Sequence, residues 1–499
     1  MNKTKKYLTS LLAVFLSTVI GITSCNLPSS SPSLSFAEPT SQVGEAVDNA
    51  FFPTPLPVRP AYNPGELVDY TAQTGDTLPA LAARFNTTVD EILFANPHIP
   101  RDATTMPPGM PMQIPIYYRA LWGSSFQIIP DHAFVNGPTH TGFNTAAFVA
   151  SQPGWLKSYR AYVAGTWRSG AELVDYVSIN YSLSPRLLLA ILEYQGGALT
   201  ATEPPVSRNL LGFSRTYWET PYLQLVIAAN TLNNGYYGWR LGTLLEFEDT
   251  NRNLLRPDPW QNAASAALHF YYSRMFTGDA YAQAVSPQGF ALAYSTLFGD
   301  PWQETSVLIP GSLQQPELRL PFPSDQTWSF TGGPHTGWGS GEPFSAIDFA
   351  PPMEKAGCFP AKEENYAIAM ADGLVVRSNP QEGVALDLDM DGNERTGWVI
   401  YYLHLATNSL APLGSTLRVG DMIGYPSCEG GRSTGTHVHV ARKYNGEWVA
   451  ADSPIPFVLS GWTVRNGNRE YLGTLTKGSA VVRACDCSDA FTAINGSYP

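Results

Sequence analysis

Residues 433–440 read Ser433-Thr434-Gly435-Thr436-His437-Val438-His439-Val440, and this stretch decides how the last third of the chain is read. A strand places residues two apart on one face. His437 and His439 can therefore point into one site from a single strand. The run Val399-Ile400-Tyr401-Tyr402-Leu403-His404-Leu405 is strongly β-prone, and it can bring His404 in from a neighbouring strand. Upstream, Gly333-Pro334-His335-Thr336-Gly337-Trp338 continues to Ser345-Ala346-Ile347-Asp348-Phe349-Ala350. Asp348 follows an apolar Ala-Ile pair, as a carboxylate at a buried edge would. Four of the chain's eight His fall in these motifs.

Two His and one Asp suit a zinc site with three protein ligands and an open fourth position, the mark of a catalytic site. Zinc lowers the pKa of bound water toward about 7 and polarises a scissile carbonyl. The other two His are then free for proton transfer and for stabilising a developing oxyanion. The arrangement resembles the M23 family of zinc peptidoglycan endopeptidases. The family's His-x-His motif matches His437-Val438-His439, and its Tyr-x-His-Leu strand matches Tyr402-Leu403-His404-Leu405. Ala371-Asp372-Gly373-Leu374-Val375 and Val419-Gly420-Asp421-Met422-Ile423-Gly424 are also family-like. The lysostaphin-type pattern has a His four residues before the Asp, and that position is Phe344 here. The β-lytic subfamily separates the two by about a dozen, and His335 lies 13 residues before Asp348 after Gly-Pro. The resemblance implies His335, Asp348 and His439 as ligands of one Zn2+ per chain, with His404 and His437 in the catalytic roles. It also implies an all-β, antiparallel sandwich for 316–499, which includes a C-terminal extension.

Two features of this region stand apart from the site. Asp387-Leu388-Asp389-Met390-Asp391-Gly392 opens like a calcium loop, but its twelfth position holds Trp398 where Glu is expected. It is read as an acidic hairpin turn between strands ending near Leu386 and starting near Trp398. Cys358 and Cys428 flank the site motifs and can pair. Cys485 and Cys487 can bond across one residue or remain thiols.

Working outward, residues 66–116 form a small α+β module. Val68-Asp69-Tyr70-Thr71 reads as a strand and Gly75-Asp76-Thr77 as a turn and cap. Leu78, Leu81, Ala82 and Phe85 follow at helical spacing. Thr88 with Glu91 is a capping box for a second helix that Asn96-Pro97 ends. Met112-Gln113-Ile114-Pro115 closes the module as a strand. Strand, helix, helix, strand in this order resembles the LysM domain, which binds N-acetylglucosamine-containing glycans. The resemblance places the glycan groove at the turns around Gly75–Leu78 and after Asn96.

Residues 117–315 read as mostly α-helical. Ser169 with Glu172 is a capping box. Ser184-Pro185 starts the next helix with Pro at its first position. Further helices are expected over Tyr222–Asn233 and Ala263–Arg274. The stretch from Ser184 to Gly197 faintly resembles the first catalytic segment of lysozyme-like lytic transglycosylases, where a Glu followed by Ser supplies the general acid. Gln195 and Gly196 stand at those places, and Glu193 points to another helix face. An amide cannot protonate a glycosidic oxygen, so the domain is expected to be a degenerate, inactive or structural one.

The chain opens with a short basic stretch, Met1 to Lys6, and an apolar run from Tyr7 to about Ile22. That is a secretory signal. Ile22-Thr23-Ser24-Cys25 resembles the bacterial lipobox, which implies lipidation at Cys25, residues 1–25 as signal, and an extracellular protein held to the outer membrane face. Residues 26–65 are a Ser- and Pro-rich linker, extended by its prolines. The whole has 499 residues, enough for about three domains. A net charge of −12 argues against a nucleic-acid partner, which needs a basic face. The sum is a lipid-anchored cell-wall hydrolase with peptidoglycan as partner and substrate. The alternative is a catalytically inactive wall-binding scaffold, or an activator of another hydrolase.

Overall fold

Tyr70, Asp76 and Arg84 show why the first module folds as it does. Asp76 is buried and accepts hydrogen bonds from the Tyr70 hydroxyl (2.6 Å), the Gln73 amide (2.7 Å) and Arg84 (2.8 Å). A charge this deep persists only when paired and hydrogen-bonded. The computed structural model describes residues 61–119, 122–214, 217 and 219–497. The signal, Cys25 and most of the linker lie outside the described residues. In the module, strands Glu66–Thr71 and Pro111–Ile116 pair antiparallel, and helices Leu78–Phe85 and Val89–Ala95 lie between them in sequence. Thr77 caps the first helix, and the Thr88–Glu91 capping box is complete.

The middle region is built on helices Gly170–Tyr181, Pro185–Gly196, Pro221–Leu241 and Ala263–Ser273, with shorter ones around them. Leu187 to Leu192 are all buried, as expected of a helix that is apolar all round. The third helix runs eight residues beyond the expected end at Asn233. Gly235 resembles a breaker in the sequence, but a Cβ there would lie 2.8 Å from Ala267 Cα. The glycine is where two helices touch backbone to backbone.

The C-terminal region is dominated by one antiparallel sheet of nine strands. Its central order is Gly373–Asn379, Gly383–Asp387, Trp398–Leu403, Val438–Tyr444, Phe344–Ala350, Thr327–Thr336. Ile347, Phe349, Ile400, Tyr402, Val438 and Val440 face a core shared with a four-stranded sheet through Val464, Leu475 and Val482. Ala346, Tyr401, Leu403 and Ala441 face the other way, into the core of the helices. The expected sandwich is thus covered on its second face by helices. Period-two alternation gives both faces of a strand, and what packs on each is set by the rest of the chain.

Buried polar contacts fix the regions together. Arg240, on helix Pro221–Leu241, reaches Glu447 (3.0 Å), Asp131 (3.3 Å) and the Thr74 carbonyl. The segment Ile309–Leu313 bonds to Thr74, Thr104 and Thr105 of the first module.

Candidate metal centre

Four adjacent strands set one row of residues across the sheet: Leu403 opposite His439, His439 opposite Asp348, and Asp348 opposite Gly332. Directly opposed residues share a face, so His439 and Asp348 are neighbours by register. The strand carrying Gly332 is irregular from there to Thr336, and this swings His335 in beside them. A Cβ at Gly332 would lie 2.2 Å from Asp348 Oδ2. Only glycine leaves room for the carboxylate.

The three side chains converge by distance. His335 Nε2 lies 3.0 Å from His439 Nδ1 and 3.3 Å from Asp348 Oδ1, and His439 Nδ1 lies 3.2 Å from the same oxygen. All three residues are buried, and Asp348 Oδ1 has no hydrogen-bond partner. Bonds of about 2.0–2.1 Å to a tetrahedral zinc put ligand atoms about 3.3 Å apart. The observed spacings fit the edges of such a tetrahedron. Backbone carbonyls fix each ring: His335 Nδ1 donates to Gly333 O (2.8 Å) and His439 Nε2 to Gly337 O (3.2 Å). That leaves His335 Nε2 and His439 Nδ1 as bare lone pairs facing Asp348, which is how metal-bound imidazoles are oriented. Burial opposes the charged form of His335, but the Asp348 carboxylate outweighs it and raises the imidazole's pKa. Asp348 is held well below the usual range despite burial, by His335 and His437.

His404 and His437 stand beside this group. Their rings are 4.5 Å apart, and His437 Nε2 is 3.8 Å from Asp348 Oδ1. His404 does not sit in the strand as expected. The strand ends at Leu403, and His404 has φ 61°. A continuing strand would send it to the face opposite Leu403. The left-handed turn, strained for a residue with a Cβ, keeps it on the site's face. Its Nδ1 donates to Glu429 O (2.8 Å), and His437 Nδ1 to Gly435 O (2.8 Å). Both Nε2 atoms are left free. Burial, with repulsion from His437 and His439, pushes His404 down to about 3, so its imidazole is neutral.

The segment joining His335 to Asp348 is held by the helices: Ser340 N donates to Asn230 Oδ1 (2.8 Å) and Glu342 N to Asn234 Oδ1 (2.7 Å). The Tyr471 ring stacks on His335 at 4.2 Å. Nothing in its sequence neighbourhood marks Tyr471. Three of the four orienting carbonyls did leave a trace, because they belong to glycines, Gly333, Gly337 and Gly435, that lie two residues from His335 or His437.

Two other flagged residues, Gln195 and Glu193, sit on helix Pro185–Gly196. Gln195 accepts from the Tyr271 hydroxyl (2.6 Å) and donates to Leu211 O (3.3 Å). Glu193 accepts from Leu199 N (2.7 Å) and the Thr200 hydroxyl (2.5 Å), tying down the turn after its helix. Both are committed to structure. Cys358 bonds Cys428 and Cys485 bonds Cys487. The Asp387–Gly392 stretch is the expected hairpin turn, between strands Gly383–Asp387 and Trp398–Leu403.

Comparison with known proteins follows the same division. Residues 70–115 match the family model of the LysM domain, and residues 127–312 that of the LasA N-terminal domain, which the sequence reading did not name. Protease LasA of Pseudomonas aeruginosa (strain UCBPP-PA14) is 27% identical over 318 residues, covering 59% of this chain and 71% of its own. The beta-lytic metalloendopeptidase of Achromobacter lyticus is 31% identical over 163 residues, 31% of this chain and 39% of its own. Among solved structures, the M23 metalloprotease pseudoalterin from the deep sea is similar at 23% identity, covering 34% of this chain and 96% of that one, with a TM-score of 0.28. The chain thus carries segments that match the LysM and LasA N-terminal family models, and over parts of its length it is similar to protease LasA and to the beta-lytic metalloendopeptidase.

Proposed function

We propose that this protein is an exported zinc endopeptidase that cleaves peptide bonds of peptidoglycan. The observation that carries the reading is the convergence of three imidazoles on Asp348 Oδ1 with His404 beside them, each ring locked by a backbone carbonyl. His335 Nε2, His439 Nδ1 and Asp348 Oδ1 would hold the ion. Zinc, when bound, supplies a Lewis acid for the scissile carbonyl and acidifies water. His404 and His437 present their Nε2 atoms to the same space. One Nε2 accepts a proton from the attacking water; once protonated, it can donate to the charge developing on the carbonyl oxygen and return the proton to the leaving amine. The names of the LasA and beta-lytic relatives support a protease and a metalloendopeptidase.

The LysM domain concentrates the enzyme on glycan, a gain in effective concentration, and a lipid on Cys25 tethers it outside the cell. Thr74, Thr104 and Thr105, in the turns expected to meet glycan, are bonded to Ile309–Leu313. Glycan binding through those turns therefore requires this segment to move aside.

Mass spectrometry of purified wall digested with the protein tests the reading. New free amines are expected, with one zinc per chain, and both are lost in His335→Ala and His439→Ala. Release of reducing ends or anhydro-sugars instead would assign the activity to the helical domain. Absence of zinc, with lysis unchanged in both variants, would sink the assignment and favour a scaffold.

A further inference from the structure

A second group of acidic ligands lies in the hairpin turn ahead of His404. Oxygens of Asp387, Asp389 and Asp391 all fall within 4.8 Å of one another. Asp389 and Asp391 are exposed, but Asp387 is fully buried. Asp387 Oδ2 accepts from Gly392 N (2.9 Å), while Oδ1, also shielded from solvent, has no donor. A buried carboxylate oxygen without a donor is destabilising, because it has given up water and gained no partner. Burial, and after it Asp389, push this carboxyl up to about 6. Two things can relieve it: a proton shared with Asp389, or a cation.

The spacing favours the cation. Carboxylates at positions one, three and five, with Gly392 at position six in a left-handed turn (φ 86°), are the opening of a calcium loop. Asp391 also accepts from Asn393 N (2.9 Å) and the Thr396 hydroxyl (2.6 Å), which holds it in place. Trp398 at position twelve supplies no bidentate carboxylate, so water must complete the shell and affinity must be low. We propose that Asp387, Asp389 and Asp391 bind one calcium ion, and that the ion braces the hairpin leading to His404. The tail of the turn is anchored through Arg395 to Asn136 (2.9 Å), in the loop after helix Asp131–Phe134, so the brace also spans the seam between the two regions.

Calorimetric titration of calcium chloride into the purified, chelator-stripped chain tests this. One saturable site is expected with Kd about 10⁻⁴–10⁻³ M, the range of extracellular calcium modules, and the thermal midpoint should rise with calcium. Asp387→Asn perturbs a buried position, so the exposed Asp389→Asn and Asp391→Asn are decisive. Each should weaken calcium about tenfold or more through the lost ligand charge, with an unchanged circular dichroism spectrum. His439→Ala should leave the calcium isotherm as it is, which separates this site from the histidine centre. No saturable binding up to about 10 mM, well beyond that range, overturns the proposal and leaves the shared proton. Binding indifferent to both exposed variants overturns it equally.

Discussion

Buried histidines occur in both large regions of this protein, and they behave differently. His140 and His269, among the helices, are as buried as His335 and His439 in the sheet. In each of the four, one ring nitrogen is hydrogen-bonded to a nearby protein oxygen. The other nitrogen makes the difference. In His140 and His269 it has no partner at all, and burial pushes the rings down to about 3 and about 4. In His335 and His439 it faces Asp348 and the other ring. Burial alone gives an inert neutral ring. A shared carboxylate instead gathers the same residue type into one cluster.

The largest expected effect breaks this contrast directly. Asp348→Ala should abolish zinc binding and bring wall lysis to background, while His269→Leu should leave both intact; metal analysis and turbidity clearance read the two. Next, His404→Ala should lower kcat by about 10²–10⁴-fold, the usual contribution of a positioned acid or base, with zinc content retained. Loss of zinc in that variant would make His404 a ligand. Third, Arg240 joins the two regions as a buried cation. Arg240→Met leaves Glu447 and Asp131 buried and unpaired, and should cost about 3–5 kcal/mol in denaturant titrations. An unchanged midpoint would mean that the regions are not fastened there. Finally, His269 has a folded pKa below its unfolded value, so the unfolded chain binds the extra proton. The stability held above the unfolded value, about 6.5, should be lost as pH falls through that value toward about 4. The loss is on the order of 3 kcal/mol, and His269→Leu should flatten that part of the stability profile.

Much of this was legible in residue order. Thr88 and Glu91, and Ser169 and Glu172, announced their helices because a capping box is local chemistry. His437 and His439 announced one face of one strand for the same reason. Gln195 was marked as unable to act as an acid, and its hydrogen bonds show it holding the helices together. Less local features stayed hidden. The helix expected to end at Asn233 runs on to Leu241, because Gly235 serves a helix–helix approach to a residue some 30 positions away. His404 looked like a strand residue because nothing nearby records its left-handed turn. Tyr471, stacked on His335, comes from more than 100 residues downstream.

By itself, then, the sequence determined residue types, caps, alternation and the His-x-His pair, since these depend on neighbours a few positions apart. The tertiary structure decided the rest: the register that sets His439 between Leu403 and Asp348, the absent side chain at Gly332 that admits the carboxylate, and the helices that cover the site's face of the sheet. Those depend on strand pairing and packing across the chain, where the cost of an unpartnered charge or a misplaced Cβ is felt only once distant segments meet.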